Sequence, residues 1–206
     1  MNCRTLVVLS LGIVIPLVTV AGKLEWNGWT PFSPRKEIQP DFEAREKGGP
    51  DGKGGLVVTH DSRDGLDGAW LKTFKVAGGG HYRATASART RKVHNPRANR
   101  YVELLFHDNA GNLVNDERVD VKSRPYYLPE VNGNIGGWTK FDGIFKAPQK
   151  ATHATVRLHL RWEPGGEVEW GGLGFVKSSK RPVRRVKLAA VNFRPKGGMT
   201  GLDNCR

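Results

Sequence analysis

The sequence predicts an all-β fold, a sandwich of two antiparallel sheets, and three observations carry that prediction. Apolar and polar residues alternate over one short stretch after another, the period of an extended chain with one face buried. Glycine and proline, 26 and 12 of the 206 residues, punctuate those stretches with turns. No segment between them has a convincing helical amphipathic pattern, so strand packs on strand.

The chain opens differently. Arg4 precedes an apolar run from Leu6 to Val20, broken by Pro16, and small residues follow at Thr19, Ala21 and Gly22. This is the layout of a secretory signal peptide over residues 1–22, with an apolar core short for a membrane span; an uncleaved signal anchor is the competing reading. The expected location is secreted or periplasmic, with no membrane attachment once the signal is removed. Cleavage would take Cys3 and leave Cys205 alone, so no internal disulfide is expected despite export.

Residues 23–179 supply the strands. Glu25–Thr30 is a first strand, 41–55 a polar, Gly-rich loop, and Leu56–His60 a short apolar strand. Asp61, Asp64 and Asp67 follow in an Asp/Gly segment. Their oxygens suit a structural calcium ion, but their spacing departs from the known calcium loop and fits a turn; no other cofactor is expected. Trp70–Val76 runs into the turn Gly78–Gly80, and His81–Arg91 then sets Tyr82, Ala84, Ala86 and Ala88 on one face. Arg100–His107 points Val102, Leu104 and Phe106 inward and Glu103, Leu105 and His107 outward. The Pro-bounded stretch 120–131, with Tyr126 and Tyr127, is a loop or an irregular edge strand.

The clearest alternation lies in 137–176. Trp138, Phe141 and Phe145 mark one extended run; Val156, Leu158, Leu160 and Trp162 take the dry face of the next, against Thr155, Arg157, His159 and Arg161. Glu163–Gly166 turns the chain, and Val168, Trp170, Leu173 and Phe175 follow in a strand loosened by Gly171, Gly172 and Gly174. Joined this way, the three runs imply an antiparallel sheet with one buried face. Trp162 and Trp170 keep the apolar phase and are expected in the core.

A formal charge of +13 and a pI near 10.0 raise the question of a polyanionic partner. The basic residues are spread widely, and the two clusters, Lys177–Lys187 and the arginines and lysine of 89–100, lack regularly interleaved aromatics. No nucleic-acid partner is expected.

The order of the Trp70-x-Lys72 strand, His81-Tyr82-Arg83-Ala84, Gly137-Trp138-Thr139-Lys140-Phe141, Phe145-x-Ala147-Pro148 and Ala154-x-Val156-x-Leu158-x-Leu160 resembles the jelly-roll carbohydrate-binding modules attached to xylanases and glucanases. The resemblance covers about residues 24–178 and implies a galactose-binding-like sandwich with an aromatic platform on its concave face. Sugars need a ring to stack on and polar groups for their hydroxyls. The outward residues Arg83, Glu103, His107, Arg157, His159 and Arg161, with Tyr126, Tyr127 and Trp138 for stacking, are the candidate ligand contacts, and Trp162 is a further ring available for stacking if it lies outside the core. Arg157 and Glu103 fit a cross-strand ion pair equally well. Arginine and histidine dominate this set, which would also suit an acidic polysaccharide.

Residues 180–185 form a basic, Pro-containing linker, and 186–206 then begin a new apolar strand, Val186-Lys187-Leu188-Ala189-Ala190-Val191-Asn192-Phe193. With the Pro195–Gly198 turn and the helix start near Asn204, this run resembles the opening of a carbon–nitrogen hydrolase domain of the nitrilase superfamily. That family's Glu, Lys and Cys lie further downstream, so the resemblance implies a hydrolase partner domain whose active site is missing from this chain. Cys205 does not stand at the nucleophile position. No other catalytic constellation is evident: the six histidines lack zinc-site spacing, although His107 and His159 would meet if their strands aligned. Glu163 and Glu167 flank a turn, where exposure to solvent is expected. The combined expectation is a secreted, non-catalytic carbohydrate-binding module at the front of a hydrolase, against a purely structural docking sandwich or an autonomous binder of acidic polysaccharide.

Overall fold

Two antiparallel β-sheets face each other across an apolar core in the computed structural model, which describes residues 26–115 and 125–179. The strands are β1 (Thr30–Phe32), β2 (Asp41–Arg45), β3 (Gly55–Thr59), β4 (Asp67–Lys75), β5 (His81–Arg91), β6 (Arg100–His107), β7 (Tyr126–Tyr127), β8 (Glu130–Ile135), β9 (Trp138–Lys146), β10 (His153–Arg161) and β11 (Glu167–Ser178). A 3-10 turn covers Lys36–Ile38, and one helical turn, α1, covers Pro96–Asn99. The expected signal peptide, the linker 180–185 and the hydrolase-like run 186–206 lie outside the described residues.

One sheet has five strands in the order β1-β4-β10-β6-β7, and the other has six in the order β2-β3-β11-β5-β9-β8. From β3 to β6 each successive strand joins the opposite sheet, and the same happens from β9 to β11. This is a jelly-roll sandwich. It also corrects the expectation that the 137–176 region forms a single sheet, since β10 pairs with β4 and β6 while β9 and β11 both pair with β5. An alternating pattern requires only that one face be buried, and a strand meets that demand in either layer.

The core forms where the predicted dry faces meet. Trp70 and Trp170, one from each sheet, are fully buried together with Leu56, Leu104, Leu158 and Leu160. The indole N–H of Trp70 donates to the Val57 carbonyl at 3.0 Å, a bond from one sheet to the other. Trp170 pairs across the sheet with Ala88 of β5, whose buried face of Ala84, Ala86 and Ala88 is small throughout. The glycines of β11 shift its register between Gly171 and Gly174. Val168 and Trp170 before that bulge, and Leu173 and Phe175 after it, therefore all pack on the core despite falling on opposite phases.

One further expectation changes. The segment 41–55 contains an edge strand, β2, because Phe42 and Ala44 alternate with Asp41, Glu43 and Arg45 and pack on the core. Polarity of this kind suits a loop, yet edge strands are often charged as well. Gly136 and Gly137, at φ 61° and 81°, form the two-residue turn between β8 and β9. Both central positions of such a hairpin turn need positive φ.

Replacing Trp170 by Ala should lower stability by about 3–5 kcal/mol in urea unfolding. Val176→Ala, at a position 59% exposed, should change it by less than ~0.5 kcal/mol.

Candidate functional site

Nine residues stand out in the sequence as candidate ligand contacts, and the two sheets divide them. Glu103, His107, Tyr127, Arg157, His159 and Arg161 share the outer face of the five-stranded sheet. Arg83 and Trp138 belong to β5 and β9 of the other sheet. There Arg83 is paired with Asp142, its Nε 2.8 Å from the carboxylate, and Trp138 lies under the Arg89 guanidinium at 4.8 Å. Neither joins the others, because their strands hydrogen-bond in the opposite layer. Tyr126 departs for a different reason. It pairs with Leu104 on the inward phase and packs edge-on against Phe106 and Phe145, so it belongs to the core.

Register also separates the histidines. His107 pairs with His153, and His159 pairs with Tyr101. Six residues of extended strand, roughly 20 Å, therefore lie between His107 and the row of His159, and the two do not meet.

Along the middle of this face runs a chain of charges. The Arg157 Nη1 donates to Glu103 at 3.3 Å, and its guanidinium lies over the Phe32 ring at 4.4 Å. His159, 5% exposed, has Nε2 3.4 Å from Glu103 and Nδ1 3.6 Å from Asp67. Those separations are long for hydrogen bonds but within reach of ion pairing. Burial works against a charged imidazole, yet the two carboxylates outweigh it and raise the His159 pKa above its ordinary value. Burial likewise opposes a charged Glu103, and His159 and Arg157 outweigh it and hold the carboxyl low.

Tyr101 is a residue the sequence reading passed over. Its ring stacks on the His159 imidazole at 4.6 Å and meets Tyr127 edge-on at 5.6 Å. Arg161 lies over the same ring at 4.8 Å and over Trp162 at 4.2 Å. Burial, with Asp67 and Glu103 nearby and Arg161 opposing, pushes the Tyr101 hydroxyl up to about 12. The signal was present: position 101 shares the outward phase of Glu103. Tyr127, at 56% exposure, offers an open ring beside it.

These side chains border a groove of about 780 Å³ between β6 and β7 of one sheet and β8 and β9 of the other, with α1 as a further wall. Buried Phe141 and Leu128 lie at its base. Arg100 keeps the inward phase of β6 and is 3% exposed, over the Phe141 ring at 5.1 Å and bonded to Glu130 and to the Thr139 hydroxyl. Burial lowers its pKa against the pull of Glu130. Sequence reading placed it only within a basic cluster.

Glu163 holds the α1 wall in place. Instead of facing solvent it is 2% exposed, and its carboxylate accepts from the His94 and Asn95 backbone N–H groups and the Asn99 amide at 2.8–2.9 Å. Burial alone would raise this carboxyl, but those bonds bring it down to about 2. Trp162 corrects another expectation. It takes a left-handed φ of 56° where β10 ends and is 55% exposed, so it lies at the surface and not in the core.

Of the three aspartates considered for calcium, Asp61 is bound to Arg63 and Asp67 lies beside His159. Among the described residues no group of three or more His, Cys, Asp or Glu is disposed to hold a metal ion.

No family model and no curated protein matches the sequence. Solved structures do share the fold. The enzymatically active domain of bacteriophage CBA120 tailspike protein 4 superposes with a TM-score of 0.53 at 13% identity, over 74% of this chain and 20% of that one. The CBM22-1 and GH10 modules of Clostridium thermocellum endo-1,4-beta-D-xylanase 10B, complexed with xylohexaose, give 0.50 at 13% identity, over 74% and 26%. The chain thus spans about a fifth to a quarter of the length of these two structures. At such identity the likeness establishes the jelly-roll architecture.

Because the His159 pKa is raised in the fold, the stability it contributes is fully present below its unfolded value of 6.5 and is lost as pH rises through the folded value. Urea midpoints of the parent and of His159→Gln should therefore differ most below the unfolded value and converge as pH rises above it.

Proposed function

We propose that this chain is a non-catalytic carbohydrate-binding module that holds a polysaccharide in the groove at Tyr101 and Tyr127. The observation that carries the proposal is the pair of tyrosine rings at that groove, one of them open to solvent, with arginine donors beside them. Ring faces take the C–H faces of sugars and charged donors take their hydroxyls. The architecture shared with a xylanase-attached module supports the same reading. So does the state of the nearby carboxylates. Glu103 is engaged by Arg157 and His159, and Glu130 by Arg100, so both carboxylates are held in ion pairs within the protein.

Affinity electrophoresis of the full chain against neutral glycans (xylan, β-glucan, galactan) and acidic ones (polygalacturonate, dextran sulfate) should show retention on at least one. Tyr127→Ala should weaken it by roughly fivefold, the worth of about 1 kcal/mol of ring contact. Trp138→Ala, on the other sheet, should leave it unchanged. Lack of retention on every glycan would sink the proposal and leave a docking sandwich.

The wider setting rests on residues 1–22 and 186–206. Their resemblance to a signal peptide and to the opening of a carbon–nitrogen hydrolase supports an exported protein in which this module precedes an amide- or nitrile-cleaving domain. If so, the gene's reading frame continues past Arg206 into a domain bearing Glu, Lys and Cys, and the expressed product releases ammonia from a simple amide or nitrile. A stop codon directly after Arg206 would refute it.

A further inference from the structure

Resting on the reading of the groove as a sugar site, we infer that its ligand is an anionic polysaccharide whose carboxylate or sulfate groups meet Arg161 and Arg97. Around the groove three guanidinium groups, Arg97, Arg100 and Arg161, face one carboxylate, Glu130. Glu130 is committed to buried Arg100 and reaches Arg97 only at 4.0 Å. Arg161 has no carboxylate within ion-pair distance among the described residues. Among the described residues its one hydrogen bond is a long 3.4 Å contact from Nη2 to the Ala98 carbonyl, and its buried Nε has no partner there.

The other arginines named as candidate contacts differ. Arg83 is matched by Asp142 on the opposite sheet, and Arg157 by Glu103. Of the three arginines named as candidate contacts, Arg161 is thus the one without an acid partner among the described residues.

The arrangement discriminates between ligands by desolvation. A neutral chain lying in the groove would cover Arg161 and Arg97 without supplying a counter-charge, and an uncompensated covered charge is costly. An oxyanion on the chain removes that cost and gains charge-assisted hydrogen bonds. Arg161 is already held against the Tyr101 and Trp162 rings, so little side-chain freedom remains to be lost on binding. A guanidinium so placed also presents two terminal amines as a fork, the shape that takes two oxygens of a carboxylate or sulfate. Rings at the groove weaken solvent screening there, which strengthens the attraction.

The test compares matched polymers by affinity electrophoresis of the full chain: polygalacturonate against its fully methyl-esterified form, and dextran sulfate against dextran. At least one charged polymer should be held roughly tenfold or more tightly than its neutral twin, as expected for a hydrogen-bonded charge, and the preferred pair distinguishes uronate from sulfate. Arg161→Ala should erase that difference, Arg161→Lys should restore it only in part, and Arg83→Ala should leave it unchanged. Urea midpoints check folding. Arg97→Ala, at a side chain 91% exposed, reports on the same groove if Arg161→Ala is unstable, and should reduce the difference. Equal retention of charged and neutral twins, still dependent on Tyr127, overturns the inference and keeps the sugar site. Retention of charged polymers that neither Arg161→Ala nor Arg97→Ala reduces traces binding to general surface charge and also overturns it. No retention of any polymer overturns both readings.

Discussion

The passage from Trp162 to Gly166 carries the chain from the middle of one sheet to the middle of the other, and both the core and the groove depend on it. β10 and β11 are central strands of different layers. To pass between them the backbone turns through a left-handed Trp162 and closes with a Gly166 N–H bonded to the Glu163 carbonyl. Trp162 is thereby put outside against Arg161, and the Glu163 carboxylate is put inside against the α1 loop. A buried carboxylate with hydrogen bonds from two backbone N–H groups and an amide is stable only while that loop stays in place. The same turn thus closes the sandwich and anchors one wall of the groove.

Charge is handled in two ways on this molecule. Across most of the surface arginines are matched by acids: Arg83 by Asp142, Arg89 by Glu169, Arg91 by Glu167. On the outer face of the five-stranded sheet Arg157 is matched by Glu103, and His159, set between Glu103 and Asp67, lies beneath the Tyr101 ring and gives the tyrosine a rigid base. At the groove the balance fails, and that failure coincides with the exposed ring of Tyr127. Balanced charges hold parts of a fold in register, whereas unbalanced ones are left to act on a ligand.

Some of the site was legible from the outward phases of β6 and β10, which identify Glu103, Arg157, His159 and Arg161 as one row. Extending the same phase two residues back from Glu103 reaches Tyr101. The tyrosine pair was harder, since both lie on a two-residue strand where nothing local says which ring faces out. Only the pairing of Tyr126 with Leu104 and of Tyr127 with Glu103 decides it. Arg83 and Trp138 were misplaced because an outward phase does not say outward from which sheet.

The sequence by itself determined which residues are dry and which wet along each strand, where most turns fall, and that the product is a β-sandwich. Those properties are local, set by a two-residue period and by glycine and proline. Tertiary structure decided which strands became neighbours, and hence that Tyr101, Tyr127, Arg97, Arg100 and Arg161 border one groove. Strand pairing joins residues far apart in the chain through backbone hydrogen bonds that carry no side-chain signature, so the alternating pattern is the same whichever layer a strand joins.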